Sequence, residues 1–166
     1  MRDSLRNVAF GAEGSVASTV YGTVVVMATL SAAYAIESDP WRLEVIVVST
    51  VLVLWIAHLY AHGLSESLEL RRRLNLGEAQ LIARRELGMV LAAVLPSVAL
   101  VLGALDVFRE GVAVAIALGL GLFILAAEGV RYARVERLGP LATLVAVAST
   151  MGLGLLVVLL KVTVAH

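Results

Sequence analysis

From Ser15 to Ile36 the chain runs without a charged residue. At 1.5 Å of rise per residue, about 20 apolar residues in a helix cross a hydrocarbon core of about 30 Å. Four more stretches follow, at about Arg42 to Leu64, Leu76 to Leu105, Gly111 to Arg131 and Leu141 to Val162. The sequence therefore predicts an all-α fold: a polytopic membrane protein with five transmembrane helices, forming one domain over 1–166. Composition agrees, with 60% apolar residues and a mean hydropathy of +0.95; apolar residues make up only about half of a soluble domain. The N-terminus shows no short apolar stretch with a small-residue cleavage site, so no removable signal peptide is expected.

The breaks between these runs have recognisable chemistry. Asp39-Pro40-Trp41 offers an N-cap, a residue suited to the first helical position and an interfacial aromatic ring. Asn75 and Glu78 have capping-box spacing, which starts helix three at Leu76. Pro96 lies inside helix three and is expected to bend it or free a carbonyl. Residues 65–86 are expected to form a cytoplasmic amphipathic connection between helices two and three. Leu64, Leu68, Leu74, Leu81 and Leu87 recur there among Arg71–Arg73, Arg84, Arg85, Glu66, Glu69, Glu78 and Glu86.

The thirteen Lys and Arg residues divide unevenly. Arg2, Arg6, the five arginines of 65–86, and Arg131, Arg134 and Arg137 fall on one side. Arg42, Arg109 and Lys161 fall on the other. The positive-inside rule then places the N-terminus in the cytoplasm and the C-terminus outside, which agrees with an odd number of spans. The formal net charge of zero gives no case for nucleic-acid binding. With no cysteine, disulfides, thiolate metal sites and cysteine nucleophiles are excluded.

Two of the three histidines, His58 and His62, lie near the end of helix two. With Glu66 they follow i, i+4, i+8 spacing, which drifts by about 40° per step on a helix. They form one polar stripe on an apolar cylinder. Glu13 begins helix one and Glu128 lies near the end of helix four, so both are expected at a similar depth. Ionisable groups placed there face the bundle interior, each other or a water-filled path. Imidazole and carboxylate suit Fe²⁺, Mn²⁺ or Zn²⁺, and they also suit a proton relay. Plainer readings exist. Glu66 and Glu128 can sit at the headgroup level, with Glu128 paired to Arg131 at i, i+3, and the histidines can be satisfied by neighbouring helices. Ala113, Ala117 and Gly121, and then Ala146, Thr150 and Gly154, form small-residue faces that serve internal packing or a homodimer.

The stretch from Arg6 to Thr19, with Phe10-Gly11-Ala12-Glu13-Gly14-Ser15-Val16 at its centre, resembles the opening of the vacuolar iron transporter family. That family reads apolar-Phe-Gly-x-x-Asp-Gly-apolar-Val-Ser/Thr there, and Glu13 takes the place of its carboxylate. The family's second-helix pattern, Ser-Met-x-x-Gly-Glu-Tyr-x-Ser, puts its methionine on His58, its glycine on Ala61, its glutamate on His62, its tyrosine on Gly63 and its last serine on Ser65. The resemblance covers helices one and two. It implies a five-helix, dimeric, proton-coupled exporter of Fe²⁺ and related ions, without the family's larger cytoplasmic metal-binding domain.

The function expected from these readings is a small transporter of divalent transition-metal ions in the cell membrane. It has the lipid bilayer and a second copy of the chain as partners, a divalent metal as substrate and no covalent cofactor. The candidate metal or proton site is Glu13, His58, His62, Glu66 and Glu128. The alternatives are a proton or monovalent-cation channel, or a non-transporting helical protein that assembles with a partner. An enzyme is not expected. His-x-x-x-His occurs in membrane di-iron hydroxylases, but those use many more histidines, and no nucleophile–base pair or phosphate-binding loop is evident.

Overall fold

The computed structural model describes residues 2–72 and 74–164, and side chains in 16–72 and 74–160 and at Thr163. Among these residues the chain is all-α. The helices are α1 (Arg2–Tyr34), α2 (Pro40–Leu70), α3 (Leu76–Ala104), α4 (Glu110–Val135) and α5 (Pro140–Val164). Each is long and apolar enough to cross a membrane. Connections of a few residues make successive helices antiparallel neighbours. One end of the bundle therefore carries the α2–α3 and α4–α5 connections with their arginines. The opposite end carries the α1–α2 and α3–α4 turns.

Capping explains the helix starts. Asp39 accepts the Trp41 N–H at 3.0 Å, with Pro40 in the first turn of α2. Asn75 accepts the Glu78 N–H at 2.8 Å, and the Glu78 carboxylate accepts the Asn75 N–H at 2.9 Å, which is the full capping box. Glu78 also takes two bonds from Arg72, which clamps the turn. α2 ends where Arg71 enters the left-handed region at φ 51 and its N–H bonds the Leu68 carbonyl. Much of 65–86 is therefore a continuation of α2 and α3, and of its described residues only 71, 72, 74 and 75 lie outside a helix. At 31 residues α2 is about 46 Å long, so it reaches beyond a 30 Å hydrocarbon core.

At the opposite end, Glu37 accepts the N–H groups of Asp39 and Ser38 and a 3.0 Å bond from Arg42. The Asp39 N–H first, and Arg42 next, hold the Glu37 carboxyl below its ordinary range. This support of the α1–α2 turn is present at neutral pH. It is lost as the pH falls through the lowered value.

α3 is the central element. It packs against α1, α2 and α4, while α5 lies against α4 and α1. Met27, Leu30, Leu43, Met89, Leu100 and Leu125 are fully buried between these helices. α3 stays helical through the buried Pro96, whose missing N–H leaves the Ala92 carbonyl without its usual partner. The small-residue faces work inside the bundle. Ala113, Ala117 and Gly121 are buried, and Gly121 and Gly154 both lie against Met27. Thr150 donates across to the Leu125 carbonyl at 3.0 Å.

The α1–α3 contact depends on Gly22. A Cβ there would lie 2.6 Å from the Met89 Cα, so only glycine allows this approach. Gly119 on α4 has nothing within 4 Å of such a Cβ. Gly22→Ala is expected to lower stability by about 1–3 kcal/mol, the usual cost of overpacking. Gly119→Ala is expected to leave stability unchanged or raise it by about 0.5–1 kcal/mol. Thermal unfolding of the two variants in detergent measures both. Equal melting temperatures would contradict the close approach.

Candidate functional site

Glu86 is the group that organises the arginine-rich end of the bundle. It lies on α3 in line with Met89, Ala93, Pro96 and Leu100, the buried stripe of that helix. Its residue surface is only 8% exposed. A carboxylate buried this far needs partners, and two other helices supply them. From α2, His62 Nδ1 lies 2.9 Å from Glu86 Oε1. From α1, the buried Ser18 hydroxyl lies 3.2 Å from both Glu86 Oε2 and the Glu86 carbonyl. Gly22 is one turn along α1 from Ser18, and Met89 is three residues along α3 from Glu86. The glycine contact thus brings the hydroxyl within reach of the carboxylate.

His58 extends the arrangement one turn deeper. Its ring lies 5.0 Å from the Tyr21 ring on α1 and 5.9 Å from the His62 ring, which it meets edge-on. Its Nδ1 lies 3.2 Å from the Leu54 carbonyl. A carbonyl only accepts, so this contact puts the hydrogen on Nδ1 and leaves the lone pair on Nε2. The His62 Nδ1 is likewise engaged by a carboxylate. Both imidazoles thus have one nitrogen oriented by a neighbour and the other uncommitted by these bonds, as in metal-bound histidines.

The ring separation can be compared with that of a shared ion. Two imidazoles on one tetrahedral ion, each about 2.0–2.1 Å from it, have ring centroids roughly 5 Å apart. The observed 5.9 Å is about 1 Å longer than that value. Among the described residues, no group of three or more His, Asp or Glu side chains is gathered to hold an ion.

The structure gathers some of the expected residues and not others. His58 and His62 lie together. Glu66 is exposed one turn beyond His62 on α2. Glu128 sits on α4, which scarcely touches α2, and it pairs with Arg131 at 3.4 Å. The Glu13 side chain lies outside the described residues.

Glu86, Ser18 and Tyr21 are additions that the sequence reading did not assign to the site. Glu86 reads as one more loop charge because Arg84 and Arg85 precede it. The available signal was its place three residues before Met89 and seven before Ala93, on the apolar stripe of α3.

Fold and site together define a multi-pass helical membrane protein with a buried carboxylate that meets an imidazole at the edge of the bundle. No family model, no curated protein and no solved structure matches this chain.

The His62–Glu86 contact can be weighed by a double-mutant cycle. His62 is half exposed, with 56% of its side-chain surface accessible, so the coupling is expected to be about 1 kcal/mol rather than the 3–5 kcal/mol of a fully buried pair. Unfolding of His62→Ala, Glu86→Ala and the double variant in mixed micelles gives the value. Strict additivity would mean that the contact contributes nothing.

Proposed function

We propose that this chain is a small membrane transporter of divalent transition-metal ions, with His58 and His62 as the ligating pair. The observation that carries this reading is the state of the two Nδ1 atoms. The Leu54 carbonyl engages one and Glu86 the other, which leaves both Nε2 atoms to bind a cation. Neutral imidazole and carboxylate oxygen suit Zn²⁺, Fe²⁺ or Mn²⁺. The pair supplies two ligands. Glu13, water or a second copy of the chain would complete the coordination, with Glu66 the nearest reserve on α2.

The resemblance of the first two helices to the vacuolar iron transporter family supports the same reading. It adds a cytoplasmic N-terminus, a homodimer and proton coupling as parts of the proposal. The arginine bias supports placing the histidine end of the bundle in the cytoplasm and the chain in the cell membrane. Histidines bind metal in the neutral form, so loading displaces protons and links transport to pH.

A second reading rests on one specific feature. His62, Glu86 and Ser18 are joined by polar contacts, and the His58 ring stands edge-on to His62 at 5.9 Å, a gap that a water can bridge. Such a series can pass protons without any metal.

Flux measurements in proteoliposomes separate the two. The parent is expected to move Zn²⁺, Mn²⁺ or Fe²⁺. His58→Ala and His62→Ala are expected to lose that flux. Glu86→Gln, which removes the orienting carboxylate, is expected to weaken metal affinity about 10–100-fold. Variants at both histidines that transport like the parent would make the site wrong. Failure to move any divalent metal would make the class wrong, and a pH-dependent current without added metal would favour the proton relay.

A further inference from the structure

The seam between α2 and α3 carries a second buried carboxyl group. Glu44 lies one turn into α2 from the Asp39 cap, at the opposite end of the bundle from the histidines. It is 9% exposed. Its Oε2 is shielded from solvent and has no hydrogen-bond partner. It lines a groove of about 310 Å³ whose walls are valine, leucine and alanine side chains of the two helices. Ser97 of α3 is the other polar side chain on that wall and stands by the Glu44 carboxyl, although neither its buried Oγ nor Glu44 Oε2 makes a hydrogen bond of ordinary length. The groove reaches Val90, one turn along α3 from Glu86. The same seam therefore has a buried carboxyl group towards each end.

The surroundings of Glu44 narrow what can answer its charge. An isolated ionised carboxylate in an apolar site is costly enough that it takes up a proton or a cation instead. Among the described residues no basic side chain lines the groove. Arg42, two residues earlier on α2, is exposed and turned to Glu37 at 3.0 Å and Asp39 at 3.7 Å. From α3 only Ser97 faces the site. A metal ion needs several ligands, and one carboxyl group with one hydroxyl does not provide them. A proton needs a single carboxyl oxygen, and Oε2 is unoccupied by any bond.

We propose that Glu44 is a proton-binding station on the α2–α3 seam, loaded from the end opposite the histidines, which carries the proton that moves against the metal. The proton site stands on the groove and its unpartnered carboxyl. The coupling to metal rests on the transport reading.

Dicyclohexylcarbodiimide tests the proton site in the full chain in liposomes. The acid proton passes to a carbodiimide nitrogen, and the carboxyl oxygen bonds to the central carbon. The O-acylisourea then rearranges to a stable N-acylurea. Mass spectrometry is expected to find the adduct on Glu44 and not on the exposed Arg42-paired Glu37. Labelling is expected to fall as the pH rises, to vanish in Glu44→Gln and to persist in Glu44→Asp. An unlabelled Glu44 at every pH would overturn the proposal.

The coupling is read with a pH-sensitive dye trapped in the vesicles. Glu44→Gln is expected to lose metal-driven proton movement while its Zn²⁺ affinity, measured against a fluorescent chelator, stays that of the parent. Unchanged proton movement in Glu44→Gln would overturn the coupling. A parent that labels at Glu44 yet moves no metal would support the proton site and overturn the transport reading.

Discussion

A carboxylate placed among transmembrane helices must be answered by partners, and the arrangement at the arginine-rich end follows from how Glu86 is answered. Its helix, α3, is the one that touches α1, α2 and α4. Its two oxygens are reached by Ser18 from α1 and His62 from α2. One side chain therefore fixes the mutual register of three helices. Lipid offers no hydrophobic gain for bringing helices together, so close backbone approach and interhelical polar bonds have to supply the specificity. Gly22 against Met89 provides the approach, and Glu86 provides the bonds.

The same logic links structure to chemistry. Glu86 orients His62, as the Leu54 carbonyl orients His58, and each leaves an Nε2 for a ligand. The α2–α3 seam continues past this pair as an apolar groove and reaches Glu44 and Ser97. Two buried carboxyl groups therefore lie on one seam, with valine, leucine and alanine side chains between them. Tyr21 lies against the deeper histidine from α1, so three helices contribute to this cluster.

Much of the fold was legible in the sequence. Five long apolar runs set the number of helices, because length and apolarity are local properties. The Asp39 cap and the Asn75–Glu78 box were readable because capping is set within a few residues. The helix ends were less so. α1 and α2 run further than expected because a helix entering water does not stop where the membrane stops; α2 ends only where Arg71 turns left-handed. The histidine pair was visible from its spacing. Its partner was not, because Glu86 follows two arginines and reads as part of a solvated loop. Depth follows from counting residues along a helix, but which neighbour a face meets depends on packing. α1 meets α3 closely, and no sequential adjacency announces that. Glu44 was hidden in the same way, two residues after an arginine that turns outward to Glu37 and Asp39.

In the proposed site His58 and His62 share one ion through their Nε2 atoms. The most direct measurement is a crystal structure of the protein soaked with Zn²⁺, with anomalous scattering recorded at the zinc edge. A single strong peak is expected between the two rings, about 2.0–2.1 Å from each Nε2, with Glu86 still bonded to His62 Nδ1. An anomalous map with no peak there, or with the ion held elsewhere while both imidazoles stay unliganded, would contradict it.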